Sequence, residues 1–439
     1  MTREKTGQAR IDELQANFPG VPRSAIIKAD AFREGISWTP DLTVIGRWAL
    51  PHTHMIFDWD HDHLDDKMEV GEGWVLIPCL FQLPDGTTTI LKLATDSPYE
   101  IRILEGNARY RMYRNGEPIE DVFFEPRPQW FTKRTTDGSL MCKVVSTAGS
   151  NCIFAITLLS YCQYFKLNEQ CVFCCIVPSV DHARELGIDR VLKPTVARVL
   201  EVYRAAVSEH PIGHFNLTGG GLLDRKREAD LYVEFLNQMM GEGGESNLFW
   251  HVITQALDED DQKRLRDAGR GKITVCHPLE AWDEKLYPVI APGKAKHVGR
   301  DEWIRAVLRL PKLFGPWQAT TTIVAGCEMA CPDGPPTVRA AVKSMENYLT
   351  FFLDHGVLPR FTFWTPAPGS PWENALPPPT EYFLEISQME HELFHKYGAP
   401  LLPSTCHKCR AVSLDADIER LSKKENVDGE AYGRNEAAH

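Results

Sequence analysis

The sequence predicts an α/β protein whose main part is an open barrel of six parallel strands with helices outside. Two observations predict this class. Residues after about 150 alternate between short apolar strands and amphipathic helices, whereas residues 46–148 show short strands broken by turn signals. A β-rich domain therefore precedes the barrel, and a short extension follows it. Because parallel strands place their carboxyl ends at one edge, the reactive groups are expected at that edge.

Four units follow from this pattern. Residues 1–45 form a helical arm, in which Ile11, Leu14 and Phe18 recur at helical spacing. Residues 46–148 form the β-rich accessory domain, with turn signals at Pro84–Thr87 and Arg114–Gly116. The remaining units are the barrel, 149–375, and a C-terminal part, 376–439, with a helix, a Cys-x2-Cys segment and a polar tail.

Strands and helices alternate six times in the predicted barrel. The predicted strands are Ile153–Leu159, Gly213–Leu217, Leu248–Thr254, Lys272–Cys276, Ala319–Val324 and Arg360–Trp364. The predicted helices lie near Thr195–Val207, Lys226–Met240, Asp258–Ala268, Trp303–Leu310, Val338–Phe352 and Glu381–His395. In the accessory domain, strands are predicted at Trp74–Pro78, Thr89–Leu93 and Tyr110–Tyr113.

Composition excludes several classes of function. The chain has 439 residues and a net charge of −12, with no dense basic stripe, which weighs against a nucleic-acid substrate. Apolar runs such as Ile153–Leu159 are far shorter than the roughly 20 residues that cross a bilayer. The polar start lacks the apolar core of a secretory signal. Twelve cysteines without such a signal favour a reducing cytoplasm and metal or redox chemistry.

A cysteine-rich loop follows the first predicted barrel strand. It contains Cys162, Cys171 and Cys174, with eight residues in the first interval, two in the second, and Phe173 before the last cysteine. Three thiolates on one loop can hold three irons of a 4Fe-4S cluster and leave the fourth iron open to a small ligand. Buried free thiols and a zinc site remain alternatives. Cys175 is a competing ligand, but adjacent cysteines point in different directions.

A run of glycines ends the second predicted barrel strand. Thr218, Gly219, Gly220 and Gly221 lie about 45 residues after the cysteine loop and before a predicted helix. Glycines let exposed backbone approach a ligand closely, which fits a binding pocket. Most glycine runs are simple turns, so the position after a strand is what favours a ligand site.

Together, the cysteine loop and the glycine run resemble the radical S-adenosylmethionine (SAM) superfamily. The resemblance covers about residues 150–375 and implies a partial, TIM-like (β/α)6 barrel. It implies a 4Fe-4S cluster on Cys162, Cys171 and Cys174, with SAM near Phe173 and the Thr218–Gly221 run. The long first interval is similar to that of the Elongator catalytic subunit. Gly221 replaces the glutamate of the family motif, so backbone carbonyls are expected to contact the SAM ammonium group.

Five further residues, in or after three of the strands, are candidates for SAM contacts under the same resemblance. Glu280, after the fourth strand, is expected to accept a hydrogen bond from the ribose or ammonium group. Ile323 and Gly326 belong to a stretch of the fifth strand that is similar to the family's adenine site. Thr254 and Gln255 end the third strand in a comparable place. The alternative for each is an ordinary capping or surface role.

The remaining cysteines and one acidic segment offer possible metal sites. The pairs Cys327-x3-Cys331 and Cys406-x2-Cys409 suit an auxiliary Fe-S cluster or a zinc ion if they converge. Histidines and aspartates alternate between His52 and His63, a pattern that suits a divalent metal ion. The same pattern is typical of a solvated strand or an acidic loop. The isolated cysteines are expected to be packed in the core; they are Cys79, Cys142, Cys152 and Cys276.

The resemblance implies an oxygen-sensitive enzyme that forms a 5′-deoxyadenosyl radical from SAM and abstracts hydrogen from a small-molecule substrate. Segments such as Leu279–Trp282 are closest to biotin-synthase-like members. An electron donor such as flavodoxin or ferredoxin is the expected partner. The alternatives are sulfur insertion or methylthiolation with an auxiliary cluster, a non-catalytic Fe-S or zinc binding module, and RNA modification, which the acidic charge disfavours.

Overall fold

The computed structural model describes residues 7–50, 77–104, 109–147, 153–185, 194–242, 249–402 and 408–424. The segment from His52 to His63, most of the strand predicted at Trp74–Pro78, Cys152 and Cys406 lie outside these residues. The predictions that concern them therefore stay predictions.

The described N-terminal part combines helices with short strands. Its helices are α1 (Gly7–Asn17), α2 (Arg23–Glu34), α3 (Pro40–Gly46) and α4 (Met141–Val144), and its strands are β1 (Leu80–Gln82), β2 (Thr88–Ile90), β3 (Tyr99–Leu104), β4 (Arg109–Arg114) and β5 (Glu117–Val122). Strands β3, β4 and β5 form an antiparallel sheet. Asn115 and Gly116 join β4 to β5 with positive φ values of 49° and 77°, as a tight hairpin turn requires.

The rest of the described chain alternates between strands and helices. The strands are β6 (Ile153–Leu159), β7 (His214–Gly219), β8 (Phe249–Ile253), β9 (Ile273–Cys276), β10 (Ala319–Ala325) and β11 (Leu358–Phe363). The helices are α5 (Gln163–Lys166), α6 (Ile176–Glu185), α7 (Val196–Val207), α8 (Arg225–Glu242), α9 (Glu259–Gly269), α10 (Tyr287–Ile290), α11 (Pro292–His297), α12 (Arg300–Phe314), α13 (Cys327–Ala330), α14 (Val338–Asp354), α15 (Thr380–Tyr397) and α16 (Asp415–Lys424).

A six-stranded sheet positions the site. Its order is β11-β10-β9-β8-β7-β6, and every neighbouring pair is parallel. Each strand thus lies beside the next in sequence, so all six carboxyl ends share one edge. The α/β class and the six predicted strands are confirmed, with strand ends within two residues of those predicted. The curling of this sheet into a partial (β/α)6 barrel stays a prediction.

The N-terminal helices contact elements that lie far along the chain. Helix α2 is buried nearly all round, including Lys28 and Asp30. Lys28 Nζ lies 2.6 Å from Asp417 Oδ2 in α16, and Asp30 accepts hydrogen bonds from Tyr99 and Thr380 at 2.7 Å each. Buried charges require such partners. The accessory part and the parallel sheet therefore share one hydrophobic core.

The segment after Lys408 covers the outer edge of β11. Phe363 N donates to Val412 O at 2.9 Å, and Arg410 Nη2 donates to Phe361 O at 2.9 Å. An uncovered edge strand would present unpaired backbone groups to solvent. Among the described helices, none is both long and apolar enough to cross a membrane.

A buried ion cluster fixes this C-terminal segment. Asp415 accepts hydrogen bonds from Arg360 Nη2 at 2.6 Å and from Arg410 Nε at 3.0 Å, and it is 5% exposed. Burial alone would raise the pKa of Asp415, but the two guanidinium groups hold it well below its usual range. The carboxylate form is therefore the one that stabilises the folded chain.

Asp415→Asn should lower the free energy of unfolding by about 3 kcal/mol or more, because two buried cations lose their carboxylate. A depressed carboxyl pKa stabilises the fold above the unfolded-state value, and this contribution is lost as pH falls. The difference between variant and wild type should therefore shrink below about pH 4 in urea titrations. Asp260→Asn, at a side chain that is 91% exposed, is the control. A difference that stays constant down to acid pH would contradict the assignment.

Candidate active site

Three cysteines of one loop line a single cavity at the carboxyl edge of the sheet. Cys162 precedes α5, and Cys171 and Cys174 follow it, with Cys174 N donating to Cys171 O at 3.0 Å. The cavity measures about 140 Å³, and we call it the cysteine cavity. Its wall also includes Phe173, Gly219, Gly220, Gly221, Glu228, Gln255, Glu280 and Lys294.

Burial raises the pKa of all three thiols. The pKa of Cys174 rises to about 12, that of Cys171 lies well above its ordinary value, and that of Cys162 is also raised. The nearby Lys294 ammonium opposes the shift at Cys171 and Cys162. Because the thiolate is the form that binds metal, a metal group that binds here must displace these protons.

The spacing of the thiols bears on the zinc alternative. A zinc ion holds sulfur ligands at about 2.3 Å, so the sulfur atoms lie within roughly 4.6 Å of one another. In the described part of the chain, the one group of three or more candidate ligand atoms within 4.8 Å of one another is His391, His395 and Glu419. The sulfur atoms of Cys162, Cys171 and Cys174 therefore do not all lie within 4.8 Å of one another.

The glycine run touches the cysteine loop. Gly220 N donates to Leu159 O at 2.8 Å, and Gln163 N donates to Gly221 O at 2.9 Å. A Cβ atom at Gly220 would lie 2.0 Å from Tyr161 O, so only glycine fits. Thr218 lies in β7 and does not line the cavity. The glycines therefore hold the cysteine loop in place as well as bordering the cavity.

A buried glutamate that sequence reasoning missed supports this wall. Glu228 accepts hydrogen bonds from Leu222 N and Gln255 N at 2.9 Å and from Gln255 Nε2 at 2.7 Å. Gln255 in turn accepts one from the Tyr164 hydroxyl at 2.6 Å. Burial raises the pKa of Glu228, although these hydrogen bonds oppose the shift. The signal available in the sequence was an acidic residue in the first turn after the glycines.

An ion pair closes the cavity on the side of β9 and α11. Lys294 Nζ lies 2.5 Å from Glu280 Oε1, donates to Pro278 O at 2.9 Å, and stands 4.3 Å from the ring centre of Trp303. Burial alone would lower the pKa of Lys294, but Glu280 and Cys171 carry it above its ordinary value. Lys294 is thus a buried cation beside the candidate cluster ligands.

Glu280 has a strained backbone. Its φ is 73°, a value that is uncommon for residues other than glycine and concentrated at functional sites. Glu280 N donates to Thr322 O at 3.0 Å, and Val324 N donates to Glu280 O at 3.1 Å. These bonds to β10 hold the carboxylate at the wall of the cysteine cavity.

Glu280 also borders a second cavity of about 310 Å³. Four carboxylates line it, so we call it the acidic cavity; they are Glu280, Asp283, Glu328 and Asp333. Ile323 lines this cavity too. Gly326 does not: its φ is 106°, and a Cβ there would lie 2.4 Å from Pro378 Cγ. Packing alone thus requires a glycine at 326.

A third cavity, which we call the apolar chamber, measures about 490 Å³. It shares Phe173, Cys174 and Ile176 with the cysteine cavity. Cys175 lines the apolar chamber only, whereas Cys174 lines both cavities.

The second set of cysteines is described in part, since Cys406 lies outside the described residues. Cys327 and Cys331 are buried, and the Cys331 thiol donates weakly to Cys327 O at 3.7 Å. Within the described ranges, no group of three candidate ligand atoms within 4.8 Å includes Cys327, Cys331 or Cys409. The isolated cysteines Cys79, Cys142 and Cys276 are buried, as predicted.

A parallel sheet with a three-cysteine cavity at its carboxyl edge is what the sequence predicted for a radical SAM enzyme. No family model matches the chain. A bacteriochlorophyllide c C-7(1)-hydroxylase of Chlorobaculum limnaeum is 24% identical over 183 residues, which are 40% of this chain and 43% of that protein. The match therefore spans less than half of the relative's length.

Solved structures with a similar fold include three proteins. They are methylornithine synthase (16% identity, TM-score 0.41, covering 65% of this chain and 78% of that one), a radical SAM methyltransferase from Sphaerobacter thermophilus (14%, 0.36, 90% and 92%) and the hydrogenase maturase HydG (12%, 0.29, 67% and 86%). The second of these proteins is named as a radical SAM enzyme. At such TM-scores, the site rests on this chain's own residues.

Proposed function

We propose that the chain is a radical SAM enzyme that acts on a small molecule. The convergence of Cys162, Cys171 and Cys174 on one cavity, beside the glycine run and the Glu280–Lys294 pair, is the observation that carries this proposal. When bound, a reduced 4Fe-4S cluster supplies one electron to SAM, giving methionine and a 5′-deoxyadenosyl radical that abstracts a substrate hydrogen.

The residues present fit these cofactors. The three cysteines would hold the cluster, and Lys294 would offset part of the negative charge of their thiolates. Hydrogen-bond acceptors for the SAM ammonium and hydroxyl groups are available at Glu280 and in the backbone of the glycine run. The acidic cavity, which Ile323 lines and Glu280 joins to the cysteine cavity, suits the nucleoside half of SAM.

The wider setting follows from the same proposal. A flavodoxin or ferredoxin would supply the electron, and a reducing, cytoplasmic environment suits the free thiols of the described cysteines. The curated relative is named for a hydroxylation, which is a change at a carbon–hydrogen bond and therefore compatible with hydrogen abstraction.

Sulfur insertion would require a second cluster as the sulfur donor. We propose the single-cluster reaction, because the three loop cysteines line one cavity, whereas Cys327 and Cys331 line none of the three cavities described above. A non-catalytic module would bind a cluster that is indifferent to SAM.

The test is to reconstitute the protein anaerobically with iron and sulfide, reduce it, add SAM and measure 5′-deoxyadenosine. We expect product in the wild type and at least about a hundredfold less in Cys171→Ala, since the reaction depends on the cluster. Cys276→Ala, at a buried cysteine outside the three cavities, is the matched control and should keep the activity.

A cluster-loaded wild type that makes no product is examined further by paramagnetic resonance. A signal that changes on adding SAM would retain the proposal, whereas an unchanged signal would reject it. Wild-type product levels in Cys171→Ala would also reject the proposed ligand set.

A further inference from the structure

The apolar chamber has the composition of a binding site for an apolar ligand. Ten of the fifteen described residues that line it are apolar, among them Phe32, Phe173, Val324, Phe363, Trp364 and Val412. Several of these are only partly buried, Val324 and Val412 among them, although they lie on elements of the core. Its volume of about 490 Å³ lies within the range of small-molecule sites.

The chamber's location connects it to the proposed chemistry. Val324 and Thr362 are register partners at the carboxyl ends of β10 and β11, so their side chains lie on the same face of the sheet. Phe173, Cys174 and Ile176 border both the chamber and the cysteine cavity. A molecule in the chamber would therefore lie against the residues that border the candidate cluster site.

The charged groups that line the chamber are opposite in sign of charge to those that line the acidic cavity. Among the described residues, Lys92 is the one charged residue that lines the chamber and no carboxylate does, whereas four described carboxylates line the acidic cavity. Lys92 Nζ donates to Pro366 O at 3.0 Å, which places its ammonium group at the chamber's rim of loop residues. An anionic group is thus accepted in the chamber and repelled by the acidic cavity.

We propose that the apolar chamber binds the substrate, and that the substrate is a mainly apolar, ring-containing small molecule with one anionic group that meets Lys92. The aromatic side chains of Phe32, Phe173, Phe363 and Trp364 in the wall favour ring contacts. This inference rests on the proposed function for the reaction, but binding in the chamber is measurable without any turnover.

Two fluorescent probes test the chamber. The first is 8-anilinonaphthalene-1-sulfonate, which has apolar rings and one sulfonate; the second is N-phenyl-1-naphthylamine, its uncharged counterpart. We expect one saturable site for each on the cluster-loaded protein. Val324→Trp should weaken both probes by about tenfold or more, because the indole fills the volume. Val207→Trp, the same exchange at a position that is 38% exposed, should leave both affinities unchanged.

Lys92→Met separates charge from shape. It keeps a side chain of similar length, so it should weaken the sulfonate probe several-fold and leave the uncharged probe within about twofold. Equal effects on both probes would overturn the assignment of the anionic group. Unchanged binding of both probes to Val324→Trp would overturn the chamber itself. Val412→Trp, which fills the same volume from a loop, replaces Val324→Trp if that strand variant does not fold.

The outcomes also separate this inference from the proposed function. Probe binding needs neither a reduced cluster nor SAM, so a protein that forms no 5′-deoxyadenosine still tests the chamber. Conversely, the protein could form 5′-deoxyadenosine while Val324→Trp and Val412→Trp bind both probes as the wild type does. That result would leave the radical chemistry standing and reject the chamber as the substrate site.

Discussion

Gly220→Ala should remove most of the cluster from the reconstituted protein. The added methyl group would lie 2.0 Å from Tyr161 O and 2.8 Å from Cys162 Cβ, so the cysteine loop must move away from the glycine run. Overpacking against backbone costs about 3 kcal/mol or more, because a carbonyl cannot rotate aside as a side chain does. Since Cys162 belongs to the displaced segment, we expect iron content to fall at least about tenfold. Losses of this size follow when the groups that orient a metal ligand are removed.

The matched control is Gly241→Ala. Gly241 lies in α8, and a Cβ there would meet nothing within 4 Å. Alanine should stabilise this helix position by up to about 1 kcal/mol and leave the iron content unchanged. Iron and sulfide analysis after desalting measures both variants. Full cluster loading of Gly220→Ala would show that the contact between the two segments does not position Cys162.

Lys294→Met should destabilise the protein by about 3 to 5 kcal/mol, because it leaves the Glu280 carboxylate without its partner in a buried site. Side-chain exposures of 10% for Lys294 and 13% for Glu280 place the pair out of bulk water. The variant also removes the cation beside Cys171, so the reduction potential of a bound cluster should become more negative. Denaturant titration and a redox titration followed by paramagnetic resonance measure the two effects.

Two controls accompany this variant. Lys343→Met removes one partner of an exposed pair with Glu346, with side-chain exposures of 66% and 44%, and should change stability by less than about 1 kcal/mol. The double variant Lys294→Met with Glu280→Gln should recover part of the lost stability, since no charge is then left unpaired. A lack of recovery would mean that Lys294 acts through Pro278 O and Trp303 and not through Glu280.

The sequence predicted the elements of the parallel sheet because their signal is local. Buried strands such as β9 read as short apolar runs, and the helices between them show the 3.6-residue period. The turn at Asn115 and Gly116 was equally predictable from the sequence, since few residues tolerate positive φ. The residues that cover the polar side of α2, Asp417 and Thr380, are distant in sequence, so no local pattern predicts these contacts.

Those parts of the cavity wall that belong to a motif or directly follow a strand were predictable, as the cysteine loop, the glycine run and Glu280 show. Cys162, Cys171 and Cys174 share a loop, so their spacing was informative. Glu228 and Lys294 belong to helices whose sequences look ordinary, and only the fold brings them to the same cavity. The three cavities likewise depend on which strand ends lie next to one another, and no sequence motif predicts this arrangement.

The segment that covers the edge of β11 also determines when the apolar chamber is complete. Val412, which lines the chamber, lies far along the chain from Phe173 and Ile176 in the same wall. Contacts between such distant segments form late in folding, because the chain loses the entropy of closing a long loop before the contacts stabilise it. During synthesis, the cysteine loop and its neighbouring strands emerge well before residues 408–415 do. The apolar chamber therefore lacks one wall until residues 408–415 dock on the edge of β11.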